Sequence, residues 1–204
     1  MIQAKIPDTI TTLDEWYESV KAQQREAHGH DYCAHHDAII SALTEMKCKS
    51  YKELGTHQGA TAAAALLCRP TSVVLVDRSL ELYKKSKKIF DDYATENNIR
   101  LQILESDSTR KETVSNADVL LIDSKHTYGH ISKELKLHHA SINKYIIAHD
   151  TVSKPELHKA LLEFCEKTDE WKILRYYTSN VGYTMLKRHK RYTILERKEK
   201  GIVI

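Results

Sequence analysis

The 204-residue chain carries 31 basic and 28 acidic side chains, 41% apolar residues, 12 histidines, six glycines and three prolines. That length suits one domain with a sizeable core, and the mixture excludes a disordered or fibrous chain. No apolar run approaches the roughly 20 residues of a membrane span, and the start MIQAKIPDTITTLDEW lacks the basic-then-apolar layout of a secretory signal. A cytoplasmic protein with no membrane partner is therefore expected.

Cys33, Cys48, Cys68 and Cys165 form no C-x-x-C pair and read as reduced thiols rather than zinc ligands. The net charge of +3 is unevenly placed. Residues 187–200 hold seven basic and two acidic side chains, which leaves the rest of the chain at −2. This argues against a surface built around nucleic acid.

In chain order, Thr12 and Glu15 make a capping box that opens an amphipathic helix through about Ala27. A His-rich stretch follows, HGHDYCAHHD (28–37), and then Ile39, Leu43 and Met46 recur at helical spacing. From residue 50, short apolar runs alternate with helices: SYKELG, QGATAAAALL, SVVLVD, a helix buried through Leu82, Ile89 and Tyr93, LQIL, DVLLID, a helix buried through Ile131, Leu135 and Ile142, and YIIAHD. Val73–Val76 and Val119–Ile122 are apolar on both faces, as strands covered by helices on both sides must be. Ser153 and Glu156 make a second capping box, with Pro155 in the first turn. WKILRYYT and GYTMLKR then flank a turn at Ser179–Gly182. The expected fold is α/β: a Rossmann-like, doubly wound, mostly parallel seven-stranded sheet that ends in an antiparallel hairpin, with helices on both faces.

In such a sheet, ligands sit beyond the carboxyl ends of the strands. Past the first strand lies Glu53-Leu-Gly-Thr-His-Gln-Gly59, where Gly55 permits a sharp turn and Gly59 a close helix start. His57 stands where a dinucleotide fingerprint would have its middle glycine. Asp77 ends the second strand, about 20 residues on, placed for ribose hydroxyls; its alternative role is to cap the turn Asp77-Arg-Ser79. Glu105-Ser-Asp107 follows the third strand, where an adenine edge could be read, although Asp and Ser are also ordinary loop residues. The fourth and fifth strands deliver Asp123, His126, His149 and Asp150 to one rim. That cluster could hold a divalent cation: carboxylates suit magnesium, and an imidazole shifts preference toward manganese, iron or zinc. His126 could instead act as a general base.

Taken together, Glu53-Leu-Gly-x-x-x-Gly59, Asp77, Asp123-Ser-x-His-x-Tyr128 and Ile147-Ala-His-Asp-Thr151 resemble a class I S-adenosylmethionine-dependent methyltransferase. The nearest branch holds cephalosporin hydroxylase-type proteins and small O-methyltransferases, and the likeness spans roughly residues 30–188. The resemblance implies a single domain over 1–204: N-terminal helices and a lid over 1–48, a cofactor-binding core over 49–188 and a basic segment over 189–204. It implies S-adenosylmethionine held by Glu53, Gly55, Thr56, His57, Gly59, Asp77, Asp107 and Asp123. It further implies His126 and Asp123 as catalytic residues and Asp123, His149 and Asp150 as metal ligands, for magnesium or another divalent cation. His149 stands where relatives often have an acidic residue, and His126 where catechol-type relatives have a lysine. Tyr32 and His36 of the lid become substrate-side contacts.

A metal role is disfavoured for the group His28, His30, His35 and His36, which lacks a fixed-face pair. Packing is expected for His138 and His139, and an edge strand for 187–200. The function expected is methyl transfer to a hydroxyl of a small molecule or sugar. The rivals are a non-methylating metabolite binder of the same fold, a nucleic-acid-modifying enzyme using the basic segment, and, third, a nicotinamide oxidoreductase. Homo-oligomerisation is left open.

Overall fold

The computed structural model describes residues 3–189. Seven strands form one sheet: β1 (Ser50–Leu54), β2 (Ser72–Asp77), β3 (Arg100–Glu105), β4 (Ala117–Ile122), β5 (Ile142–His149), β6 (Trp171–Tyr177) and β7 (Tyr183–Arg188). Their order is β3-β2-β1-β4-β5-β7-β6. The first five run parallel, and β7 lies antiparallel to both β5 and β6. The helices are α1 (Leu13–His28), α2 (Ala34–Leu43), α3 (Ala60–Leu67), α4 (Glu81–Lys84), α5 (Lys87–Glu96), α6 (Tyr128–His138) and α7 (Pro155–Lys167). This is the doubly wound sheet with a terminal hairpin that the sequence pattern predicts. No helix among the described residues is long and apolar enough to cross a membrane.

The sheet divides the core. On one face Trp16, Ile39, Tyr51, Leu66, Phe90 and Leu121 belong to a cluster built with α1, α2, α3 and α5. On the other, Leu54, Leu120, Ile131, Leu157 and Trp171 pack with α6 and α7. The alanines of α3 bury it all round, and having no side chain beyond Cβ they let the helix lie close to its neighbours. At the start of α1 the Thr12–Glu15 capping box forms with both of its hydrogen bonds.

Three local expectations change. The helix expected through Leu82, Ile89 and Tyr93 is two helices, α4 and α5, whose inward side chains are Tyr83, Phe90 and Ala94. Ile142 belongs to β5 rather than to α6, because the helix ends at His138 and a 3₁₀ turn intervenes. Ser153 does not cap α7, whose N-cap is Lys154; its hydroxyl instead donates to the carbonyl and carboxylate of Asp150. As for the expected edge strand, Lys187 and Arg188 end the interior strand β7, β6 takes the edge, and residues 190–200 lie outside the described residues.

Strand order reverses between β1 and β4, so the chain leaves these two neighbours in opposite directions and opens a crevice at their carboxyl ends. Leu54 sits level with Ile122, which sets Gly55 beside Asp123. The Asp123 amide donates to Leu54 O and the Gly55 amide to Val76 O, each at 2.8 Å.

Candidate functional site at the strand-order reversal

The turn after β1 works only with glycine at its first position. Gly55 has φ +95°, and a Cβ there would lie 2.2 Å from the carbonyl oxygen of Asp123. Gly59, at φ +97°, caps α3 in the left-handed region. His57 adopts φ +51° between them, a conformation L-residues seldom take. Its presence at the fingerprint's middle position therefore keeps the glycine-like backbone, and burial lowers its pKa.

Asp77 holds this turn. Its Oδ2 accepts the amides of Thr56 and His57, both at 2.8 Å, and its Oδ1 accepts Ser79 N at 3.1 Å. A carboxylate has about four acceptor positions, so three backbone amides leave one for a ligand hydroxyl. Of the two roles foreseen for Asp77, these bonds fill the turn-capping one and extend it to the amides of Thr56 and His57. Asp77 also borders a cavity of about 310 Å³ lined in part by Gly55, His57, Ser106, Ser108 and His126. The Asp107 carboxylate accepts from the backbone and hydroxyl of Thr109, closing a turn, so its serine neighbours line the cavity.

Glu53 ends β1 fully buried and accepts a 2.5 Å hydrogen bond from the Tyr51 hydroxyl. Burial pushes its carboxyl up to about 8, against the opposing effect of the Tyr51 hydrogen bond. It is therefore a neutral acid beneath the glycine turn at ordinary pH. Thr56 is buried as well.

At the rim, Asp123 is the hub. His126 Nε2 lies 3.1 Å from Asp123 Oδ1 and 3.2 Å from Asp150 Oδ2. His149 Nδ1 lies 3.2 Å from Asp123 Oδ1 and 3.7 Å from Asp150 Oδ2. Burial alone would raise the pKa of Asp123. The charge of His149 and the hydrogen bonds from His126 and His149 outweigh it and hold the carboxyl well below its ordinary range. The hydrogen bond with Asp123 raises His126. For His149, burial pulls the pKa down, but the Asp123 charge prevails and the pKa rises. Asp150 is turned into this cluster by φ +59°.

The His-rich segment lies against the rim through Tyr32, as expected, and through His35, which was not foreseen. His36 is buried against Tyr17, its Nδ1 3.1 Å from the Tyr17 hydroxyl. His35 instead stacks on His149, with ring centroids 3.8 Å apart, and Tyr32 sets its edge to the same ring at 5.8 Å. The tip of the β6–β7 hairpin pins the segment: Asn180 donates to His28 O at 2.7 Å and Ser179 to Asp31 at 2.5 Å. Neither anchor is visible in local sequence, because the partners lie about 150 residues apart.

A second buried polar group was missed by the sequence reading. Lys52 on β1 is fully buried, donates to Thr113 O and approaches His138 Nδ1 at 3.2 Å; burial lowers its pKa to about 8. A signal existed, since a central parallel strand buries both faces and Lys52 had no route to solvent. His138 packs as expected, and its Nε2 reaches Ser108 O, which ties α6 to the cavity wall.

Among the described residues, two sets of side chains could share an ion, His35–Asp123–His149 and Asp123–His126–Asp150. The donor chemistry fits a divalent cation: carboxylate oxygens with imidazole nitrogens, and a buried His149 Nε2 with no hydrogen-bond partner. The cavity lining includes Gly55, Asp77, Ser106 and Ser108, groups able to take part in holding a nucleoside-bearing cofactor.

No family model and no curated relative matches the chain. Solved structures do. The SAH-bound methyltransferase PaMTH1 of Podospora anserina superposes with a TM-score of 0.62 at 16% identity, covering 91% of this chain and 89% of that one. A putative caffeoyl-CoA O-methyltransferase from Staphylococcus aureus gives 0.63 at 14%, covering 88% and 93%. A putative RNA methyltransferase from Pyrococcus horikoshii gives 0.57 at 14%, covering 81% and 85%. The fold is that of the class I S-adenosylmethionine-dependent methyltransferases, and within it the acceptors of the matched proteins differ.

Proposed function

We propose that the chain is an S-adenosylmethionine-dependent methyltransferase that acts on a hydroxyl of a small molecule or sugar. The observation that carries this reading is the cavity at the strand-order reversal, which brings Gly55, Asp77, Ser106 and Ser108 together with Asp123 and His126 in one lining. When bound, S-adenosylmethionine supplies an electrophilic methyl group on a sulfonium sulfur. Asp77 offers its remaining lone pair to a ribose hydroxyl, while the turn it holds brings the backbone of Gly55 against the ligand. Neutral Glu53 beneath that turn adds no negative charge to the turn's floor.

His126 serves as proton acceptor. With its Nε2–H directed at Asp123 and Asp150, the tautomer leaves Nδ1 free to take a proton from the acceptor hydroxyl. The two carboxylates then stabilise the imidazolium. Asp123 and His149, with Asp150 beside them, would help hold a divalent cation, whose chemistry is to lower the pKa of a bound hydroxyl. Tyr32 and His35 close over the rim and exclude water from it. Alignment of the acceptor oxygen with the methyl group supplies most of the acceleration.

Calorimetry with S-adenosylmethionine, with and without added divalent metal, tests the reading. Binding should be seen and should weaken at least about tenfold in Asp77→Ala, in line with loss of a hydrogen bond to a charged group. Absence of binding under every metal condition refutes it. Binding without methyl transfer across a broad panel of hydroxylated acceptors points to the metabolite-binding alternative.

A further inference from the structure

A second, smaller space of about 20 Å³ borders the rim, lined in part by Tyr32, His35, His36, Gly55, Asp123 and His149. That is room for one water-sized occupant. A ring nitrogen of His35, a ring nitrogen of His149 and a carboxylate oxygen of Asp123 lie within 4.8 Å of one another around it. His35 Nδ1 and His149 Nε2 are both buried without a hydrogen-bond partner, and their residues are 3% and 2% exposed. Buried ring nitrogens are ordinarily satisfied, so an orphan on each of two closely packed rings that line this space calls for a partner.

We propose that His35, Asp123 and His149 form a binding site for one first-row transition-metal ion of the zinc, cobalt or iron(II) class, with the N-terminal helix α2 contributing a ligand through His35. Two imidazoles and one carboxylate favour such ions over magnesium, which demands oxygen donors and keeps its waters. Bond lengths of about 2.0–2.2 Å are reached by small rotations of the rings and carboxylate from their present positions. The contacts at Ser179 and Asn180 hold the His-rich segment in place, so His35 is presented to Asp123 and His149 before any ion arrives. The site makes the covering segment part of the metal centre. His126 lines the larger cavity where the acceptor would lie, and Asp150 pairs with it there.

This inference deepens the metal part of the proposed function and does not depend on methyl transfer. It is tested with the metal alone on chelator-stripped full-length protein. Titration with Co²⁺, followed by visible absorption and by zinc competition, should show one equivalent per chain that millimolar Mg²⁺ does not displace. His35→Ala and His35→Asn should weaken Co²⁺ at least about a hundredfold, beyond the range seen for losses outside the ligand shell. Asp150→Asn should change it less than about threefold.

If the His35 variants do not fold, the wild-type protein still decides. Proton spectra of the Co²⁺ form should show two strongly shifted, exchangeable histidine N–H resonances that persist in His126→Ala. No Co²⁺ or Zn²⁺ binding overturns the proposal and assigns the space to a water. Binding that survives the His35 changes but is lost in Asp150→Asn or His126→Ala overturns it too, by placing the ion on the set Asp123, His126 and Asp150. Cofactor binding, measured separately through Asp77, is unaffected by either result.

Discussion

Replacing Glu53 with glutamine should reshape the pH dependence of stability. Glu53 is fully buried, and its carboxyl is pushed from an ordinary 4.5 up to about 8. Between those values the folded protein holds a proton that the unfolded chain has released, so stability falls as pH rises through this window. Linkage gives a cost of about 1.4 kcal/mol at pH 5.5, about 3 at pH 7 and about 4 at pH 8, as ceilings for a fully developed shift. Glutamine cannot ionise and keeps an oxygen able to accept from the Tyr51 hydroxyl. Its buried amide adds a pH-independent cost of about 1–3 kcal/mol.

Urea unfolding of both proteins from pH 5.5 to 8 isolates the effect, because contributions common to both, such as that of buried Lys52, cancel in the difference. The variant should gain about 2–3 kcal/mol on the wild type across that range. It should start level or slightly less stable and finish more stable. Parallel pH profiles would falsify the assignment of Glu53 as a buried neutral acid.

Three further outcomes are expected. Gly55→Ala puts a Cβ 2.2 Å from Asp123 O at φ +95°. It should cost about 2–5 kcal/mol in urea unfolding and abolish cofactor binding in calorimetry; a fully stable, binding-competent variant contradicts the turn geometry. Asn180→Gly keeps the positive φ but deletes the contact to His28 O. Hydrogen exchange should accelerate at residues 28–36, with about 1 kcal/mol or less of global loss; unchanged exchange there means the hairpin tip does not hold the segment. Truncation after His189 removes most of the basic excess. For a small-molecule enzyme, methyl transfer should persist and RNA affinity should be negligible before and after; salt-sensitive RNA binding that disappears on truncation favours a nucleic-acid acceptor.

Much of the fold was legible because its signals are local. Runs apolar on both faces announced parallel central strands, Thr12 and Glu15 announced the start of α1, and the glycine spacing announced the turn after β1. Errors arose where periodicity admits two answers. Leu82, Ile89 and Tyr93 match a helical stripe as well as Tyr83, Phe90 and Ala94 do; packing against Trp16 and α3 puts the second set at the centre of the contact and leaves Ile89 and Tyr93 partly buried at its margin. Ser153 had the right spacing for a cap, but the left-handed Asp150 drew its hydroxyl back to the rim.

The sequence by itself determined which residues gather at the carboxyl ends of the strands, since the ends of β1, β2, β4 and β5 bring Glu53, Asp77, Asp123 and His149 there. It could not say what those residues touch. The neutrality of Glu53, the three amides on Asp77 and the stacking of His35 on His149 depend on side-chain direction and on burial. Both are properties of the assembled sheet. Strand order sets β1 beside β4 and β5 beside β7, and the hairpin tip then seats a segment about 150 residues away over the site. Local pattern encodes period and turn; contact between distant elements is decided by the low-energy packing of the whole chain, and the chemistry of this rim follows from that packing.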